Sequence, residues 1–397
     1  MDITYEKIQE ICNNIVVPFW NKQKSSFPVF LNEVYDEEQD KGENEKLIDK
    51  YMKKFPEGTF DKIENINIRE ALENKKIEKE VHGFIKQEKL AGILKNMGDE
   101  LYFQFESETK RFIKKAYVFD EKLDNEQIIQ SIRNYFIYAM IVDFQGEKQE
   151  ASDVIVAYSL LYPYTDNVLD DVNITMEEKV HMDNFINMKL KEEYCTPHSS
   201  VEEKIGVLLE RILHNYKGIQ KEKVRMTLLL LLDAQHKSIG QIDNRTDMMH
   251  SDVLNRSAYK GGTSVLADYL LATDNYDDNE IIFYMKFGFI LQLVDDLQDI
   301  TEDENKGSRT LMTIAKSKDE LEETVYRLLW YIYEVFQGVY FKNERLKKFA
   351  MRHCIGIVLI SAVVNEELFS DEYIRAAEEY LPLSVQYIND MKTRFKK

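Results

Sequence analysis

Two aspartate clusters carry the residue types and spacing most able to do chemistry in this chain. One is Asp166-Asn167-Val168-Leu169-Asp170-Asp171; the other is Asp295-Asp296-Leu297-Gln298-Asp299-Ile300-Thr301-Glu302-Asp303. Both lie in helix-forming stretches otherwise rich in Leu, Val, Ile and Phe. Ionised carboxylates on an apolar helix are costly unless a cation neutralises them, so two such groups facing one another point to a shared cluster of divalent metals. Hard cations held between two carboxylate walls suit a diphosphate. Magnesium, which takes a few carboxylates plus water and phosphate oxygens, fits this donor set better than zinc, which would call for His and Cys.

On a helix, residues four apart share a face, so Asp166 and Asp170 project together, with Asn173 and Glu177 continuing the row. Asp171 points elsewhere and is the outlying member of this ligand set. Asp295, Asp299 and Asp303 form an i, i+4, i+8 ladder, and the same stripe carries Gly288 and Gln292, which are expected to face a cavity above the metal end. Tyr158 and Tyr162 precede Asp166 by two turns and one turn and are expected on the same cavity wall, with Pro163 able to kink that register. Their faces suit a cation, although buried Tyr is more often plain core. Either acidic motif alone also fits a solvated helix face; the pair, each embedded in apolar helix, favours a site.

Between the motifs lies Ser257-Ala258-Tyr259-Lys260-Gly261-Gly262-Thr263-Ser264-Val265-Leu266-Ala267-Asp268. Adjacent glycines inside a helix cost roughly 1 kcal/mol each relative to Ala, so they signal a break or a close backbone approach. Lys260, just before them, is a candidate clamp for a diphosphate. After the second motif, Lys306-Gly307-Ser308-Arg309 brings two more cations within a turn or two of Asp303. Lys306 and Arg309 therefore suit phosphate recognition, and equally a helix C-terminus that favours basic residues.

These residues need rigid elements to hold them. The chain has 397 residues, 44% of them apolar, with only 15 Gly and 6 Pro, which argues for long helices. Ile128-Ile129-Ile132-Tyr135-Phe136-Ala139-Met140-Val142 repeats at helical spacing. Further helices are expected near 151–162, 165–193, 201–216, 220–240, 247–272, 278–303, 319–341, 346–366 and 371–393, with Thr196-Pro197, Asp274-Asn275 and Asp319 among the turn signals. The fold class is therefore all-α, an antiparallel helix bundle with its site in the core. Residues 126–397 form that bundle, and the charge-rich residues 1–125 form a helical and irregular extension that packs on it or caps it.

A net charge of −19 disfavours nucleic acid and anionic membrane surfaces as non-specific partners. An anionic substrate must then be met by metal or by local basic residues. Three widely spaced cysteines, Cys12, Cys195 and Cys354, and no signal-like N-terminus point to a reducing cytosol. No apolar run is long enough to span a membrane, so an apolar substrate would be exchanged through transient contact with a membrane surface. A homodimer is compatible with the sequence.

Taken together, these stretches resemble the class I isoprenoid synthases. Gln292 to Asp299 with Glu302-Asp303, and Lys260 to Asp268, are most similar to the bacterial large terpene synthases of the tetraprenyl-β-curcumene synthase type (class IB), as is Asp233-Ala234-Gln235 to Gln241. Tyr162 to Asp170 and the Asp299/Asp303 spacing are also similar to squalene and phytoene synthases. The resemblance covers about residues 155 to 315. It implies a helical bundle in which three magnesium ions ionise a linear prenyl diphosphate, with Asp166 and Asp170 holding two ions, Asp295 and Asp299 the third, and Lys260 and Arg309 the diphosphate. The first motif departs from a strict double-Asp start, and the Gly-Gly-Lys-Arg and Arg-Arg elements of head-to-tail prenyl diphosphate synthases are not found. The expected activity is a metal-dependent terpene synthase; head-to-head coupling of two prenyl diphosphates and a non-catalytic helical partner subunit are the alternatives.

Overall fold

The structure, a computed structural model, describes residues 3–35, 40–55, 59, 66, 68–88, 92–170, 174–239, 249–273 and 277–395, with the side chains of 167, 169, 170, 238, 239 and 395 left out. The first part of the chain forms α1 (Tyr5–Ile11), α2 (Val17–Asn21), α3 (Leu31–Val34), α4 (Lys41–Met52), α5 (Ile68–Glu73), α6 (Lys75–Gln87), α7 (Ile93–Met97) and α8 (Asp99–Phe119). A π-helical turn, Cys12–Val16, joins α1 to α2 just ahead of Pro18, whose ring would clash with the carbonyl four residues back in a regular helix. The remainder forms α9 (Asn125–Phe144), α10 (Asp153–Asp170), α11 (Met176–Leu190), α12 (Ser200–His214), α13 (Gly218–Ile239), α14 (His250–Ala272), α15 (Asp278–Gln298), α16 (Ile300–Lys306), α17 (Lys318–Gln337), α18 (Glu344–Val364), α19 (Asp371–Glu378) and α20 (Val385–Phe395). The fold is all-helical, with no strand among the described residues.

Local chemistry fixes many of the helix starts. Asp124 with Gln127 and Thr175 with Glu178 form capping boxes at α9 and α11, and Ser199, Asp277, Ser317 and Asn343 accept from first-turn N–H groups of α12, α15, α17 and α18. Helix α10 runs through Pro163 and ends at Asp170, so 151–162 and 165–193 are not the helices formed. Glu177 belongs to the first turn of the separate α11 and does not extend the Asp166 row; Asn173 and Asp171 lie outside the described residues, as does Asp274-Asn275. The stretch 371–393 is likewise divided, with residues 379–384, including Pro382, between α19 and α20.

Helix α14 is central. It packs along α15 and α13 and also touches α9, while α10 lies against α9 and α12, and α15 against α17 and α18. The buried apolar core is continuous from Ile3 to Ile388. Trp20 sets its ring edge-on to Phe289 at 5.5 Å, Phe30 stacks on Tyr333 at 4.2 Å, and Trp330 Nε1 donates to the Ser26 carbonyl at 3.0 Å. Residues before 125 thus pack into the same core as the later helices. No described helix is long and apolar enough to cross a membrane.

Candidate functional site

The second aspartate motif occupies the end of α15 and the start of α16. Asp299 stands at the junction (φ −98°, ψ 10°), yet the Asp299 N–H bonds the Asp295 carbonyl at 3.0 Å and the Asp303 N–H bonds the Asp299 carbonyl at 2.8 Å. Helical spacing therefore persists across the junction and keeps Asp295, Asp299 and Asp303 in one electrostatic neighbourhood. Burial and then mutual repulsion push Asp299 and Asp303 up to about 6, with Lys306 and either Arg133 or Lys260 pulling the other way. Asp299 is exposed on one side, so it sits at the rim.

Arg133 of α9 pairs with Asp295 at 3.2 Å. Asp296 is only 5% exposed; Gln292 donates to its Oδ1 at 2.8 Å, while its Oδ2 is buried with no hydrogen-bond partner. Burial pushes Asp296 up to about 7, and the nearby Lys260 charge opposes that shift. Neither Arg133 nor Asp296 was singled out by spacing. Asp296 is one residue off the ladder, a turn of about 100° that carries it into the core, and nothing local in α9 marks Arg133 as a partner of Asp295.

The glycine pair resolves as a close approach. Helix α14 is unbroken through Gly261-Gly262, and a Cβ on Gly261 would lie 2.3 Å from the Gly288 carbonyl oxygen, while one on Gly288 would lie 2.0 Å from that of Gly261. Gly288 is thus spent on helix contact and is not a cavity wall. Gln292 likewise turns to Asp296 and abuts Gly261. What the contact achieves is to draw α14 and α15 together, which sets Lys260 beside the acidic end of α15.

The first motif lies at the end of α10. Gln235 of α13 donates to Asp166 Oδ1 at 3.2 Å; the neighbouring Asp233 accepts from Tyr259 at 2.9 Å, anchoring α13 to α14, and from Lys237 of its own helix at 2.8 Å. Asp170 closes α10, and its side chain lies outside the described residues. Tyr158 and Tyr162 bond each other at 3.3 Å and cross edge to face; Tyr162 also meets Ser264 Oγ at 2.6 Å, and Tyr158 donates to the Ser264 carbonyl at 3.4 Å. Deeper, Ser159 donates to Asn134 at 3.0 Å, and Asn134 faces the buried Asp268 at 3.5 Å.

Tyr158, Tyr162, Thr165 and Gln235 line a cavity of about 40 Å³ whose other walls are Leu and Ile side chains of α10 to α13. After α16, Gly307 adopts the left-handed conformation (φ 69°) and turns the chain so that the Ser308 N–H reaches the Asp303 carbonyl at 2.8 Å, placing Arg309 just beyond. Lys306 pairs with Glu302 at 2.6 Å. Among the described residues the two aspartate motifs do not close into a common ligand set. The group that does comprises Glu78, His82 and Glu106. No family model matches this chain, nor does any curated protein or solved structure.

Proposed function

We propose that the chain is a terpene synthase that ionises a linear polyprenyl diphosphate and cyclises the resulting cation or eliminates a proton from it. The observation that carries this reading is the acidic end of α15 and α16, where Asp295, Asp299 and Asp303 act on one another with the cations Lys260 and Arg133 alongside. Carboxylates raised by burial and by mutual repulsion at one helix end are what a hard cation would relieve, so the donor set fits magnesium. Asp295, Asp299 and Asp303 would hold ions on this side, and Asp166 with Asp170 on the other.

Register supports bringing the two sides together. Ser159 lies toward Asp268 through Asn134, and Tyr162 lies against Ser264, so α10 and α14 run antiparallel. One turn further, this register would bring Asp166 level with Lys260, the residue whose charge already acts on Asp296 and Asp303.

Bound magnesium supplies charge stabilisation for the leaving diphosphate. Lys260 and Arg309 would bind its remaining oxygens, Lys306 joining them on leaving Glu302, and these fixed charges act most strongly where water is excluded. The Leu and Ile walls of α10 to α13 would shield the allylic cation from water, with the Tyr158 and Tyr162 ring faces toward it. A cavity of about 40 Å³ is far below the ~300–1,000 Å³ of ligand pockets, so substrate entry must part these walls.

The test is substitution at both ends of the site. Asp166→Ala and Asp299→Ala should each lower turnover about a hundredfold or more with helix content unchanged by circular dichroism, and Lys260→Ala should weaken binding of a diphosphate analogue about tenfold by calorimetry. Wild-type turnover in both aspartate variants would overturn the reading.

A further inference from the structure

Outside the aspartate motifs, α6 and α8 face each other through a second polar cluster. Glu78 and His82 are four residues apart on α6 and share a face; Glu106 of α8 meets His82 Nε2 at 2.6 Å. The ligand atoms of the three side chains all lie within 4.8 Å of one another. Lys110, one turn beyond Glu106, inserts its ammonium between the two carboxylates, at 2.7 Å from Glu78 and 2.6 Å from Glu106. The imidazole is held edge-on by Tyr102 (6.3 Å, 73°) and Phe103 (5.5 Å, 90°), which fixes the direction of Nε2.

We infer that Glu78, His82 and Glu106 form a binding site for a divalent transition metal of the zinc class, in which Lys110 is the resident counter-ion that the metal displaces. One imidazole and two carboxylates suit zinc better than magnesium, which rarely takes nitrogen. Zinc bonds of about 2.0–2.2 Å need the ligand atoms to draw in to roughly 3.3 Å apart, a movement within the reach of side-chain rotation at a half-exposed site. Two ligands from α6 and one from α8 would pin these helices together. The site is independent of the proposed catalytic activity.

Calorimetric titration of the full chain with zinc, in excess magnesium to occupy hard-cation sites elsewhere, tests the inference. Wild type should bind one equivalent that His82→Ala weakens at least tenfold, and Lys110→Met should tighten it about tenfold by removing the competing ammonium. Cobalt binding, read from its visible absorption bands, should be lost with His82→Ala while the circular dichroism spectrum is retained. Absence of zinc binding by wild type, binding that survives His82→Ala, or equal affinities for wild type and Lys110→Met would each overturn it.

Discussion

Buried carboxylates in this chain differ in what surrounds them, and the differences decide their behaviour. Asp143 accepts one hydrogen bond from Gln149 at 2.8 Å, and burial pushes it up to about 7 despite that bond. Asp268 is held well above the ordinary carboxylate range by burial, and one of its oxygens is unpartnered. Folded Asp143 therefore keeps its proton up to about pH 7, whereas the unfolded chain releases it near 4. The native state binds the extra proton in that window, so stability falls as pH rises through it and levels off above about 7. Asp143→Asn, which retains an acceptor for Gln149, should flatten the decline between pH 4 and 7 by up to about 4 kcal/mol in denaturant unfolding. An unchanged pH profile would mean that Asp143 is ionised in the fold. At this scale the i+4 rule found Asp295, Asp299 and Asp303 but passed over Asp296, because spacing identifies a shared face and says nothing of how deep a neighbouring residue sits. Arg133 was illegible for another reason: its partner is in a distant helix.

The elements were more legible than their junctions. The stretches 220–240, 247–272 and 319–341 lie close to α13, α14 and α17, because long apolar periodicity with few breakers leaves little choice. Pro163 failed as a breaker, since α10 is clamped on both sides by packing. The start of α11 was written in Thr175-x-x-Glu178, a capping box that the Asp166 row overrode. Gly261-Gly262 illustrates an ambiguity that sequence leaves open, since only the position of Gly288 in another helix shows that the pair serves contact. Gly261→Ala and Gly288→Ala each drive a methyl into backbone, and should cost about 1–3 kcal/mol or more. Gly338→Ala, whose Cβ would meet nothing nearer than 3.4 Å, should change stability by no more than about 0.5 kcal/mol. Equal effects at Gly261 and Gly338, measured by thermal unfolding, would contradict the contact.

For the whole molecule, charge-rich stretches such as Glu73 to Lys89 concealed how fully the N-terminal part joins the core. Helix α6 there has no buried residue, whereas Trp20, Phe30 and Phe112 are buried in the shared core. Trp20→Ala should cost about 3–5 kcal/mol and lower the midpoint of one cooperative transition. A separate early transition that leaves the main one unmoved would show that the N-terminal helices fold on their own. The proposed activity of the whole molecule is metal-assisted ionisation of a prenyl diphosphate. Its most direct test is diphosphate release and hydrocarbon analysis with farnesyl, geranylgeranyl and geranylfarnesyl diphosphates, with magnesium and with chelator. The expected result is a cyclic or eliminated product, one diphosphate released per substrate molecule, and silence with chelator. A doubled-length hydrocarbon, or no release with any of the three substrates, would contradict it.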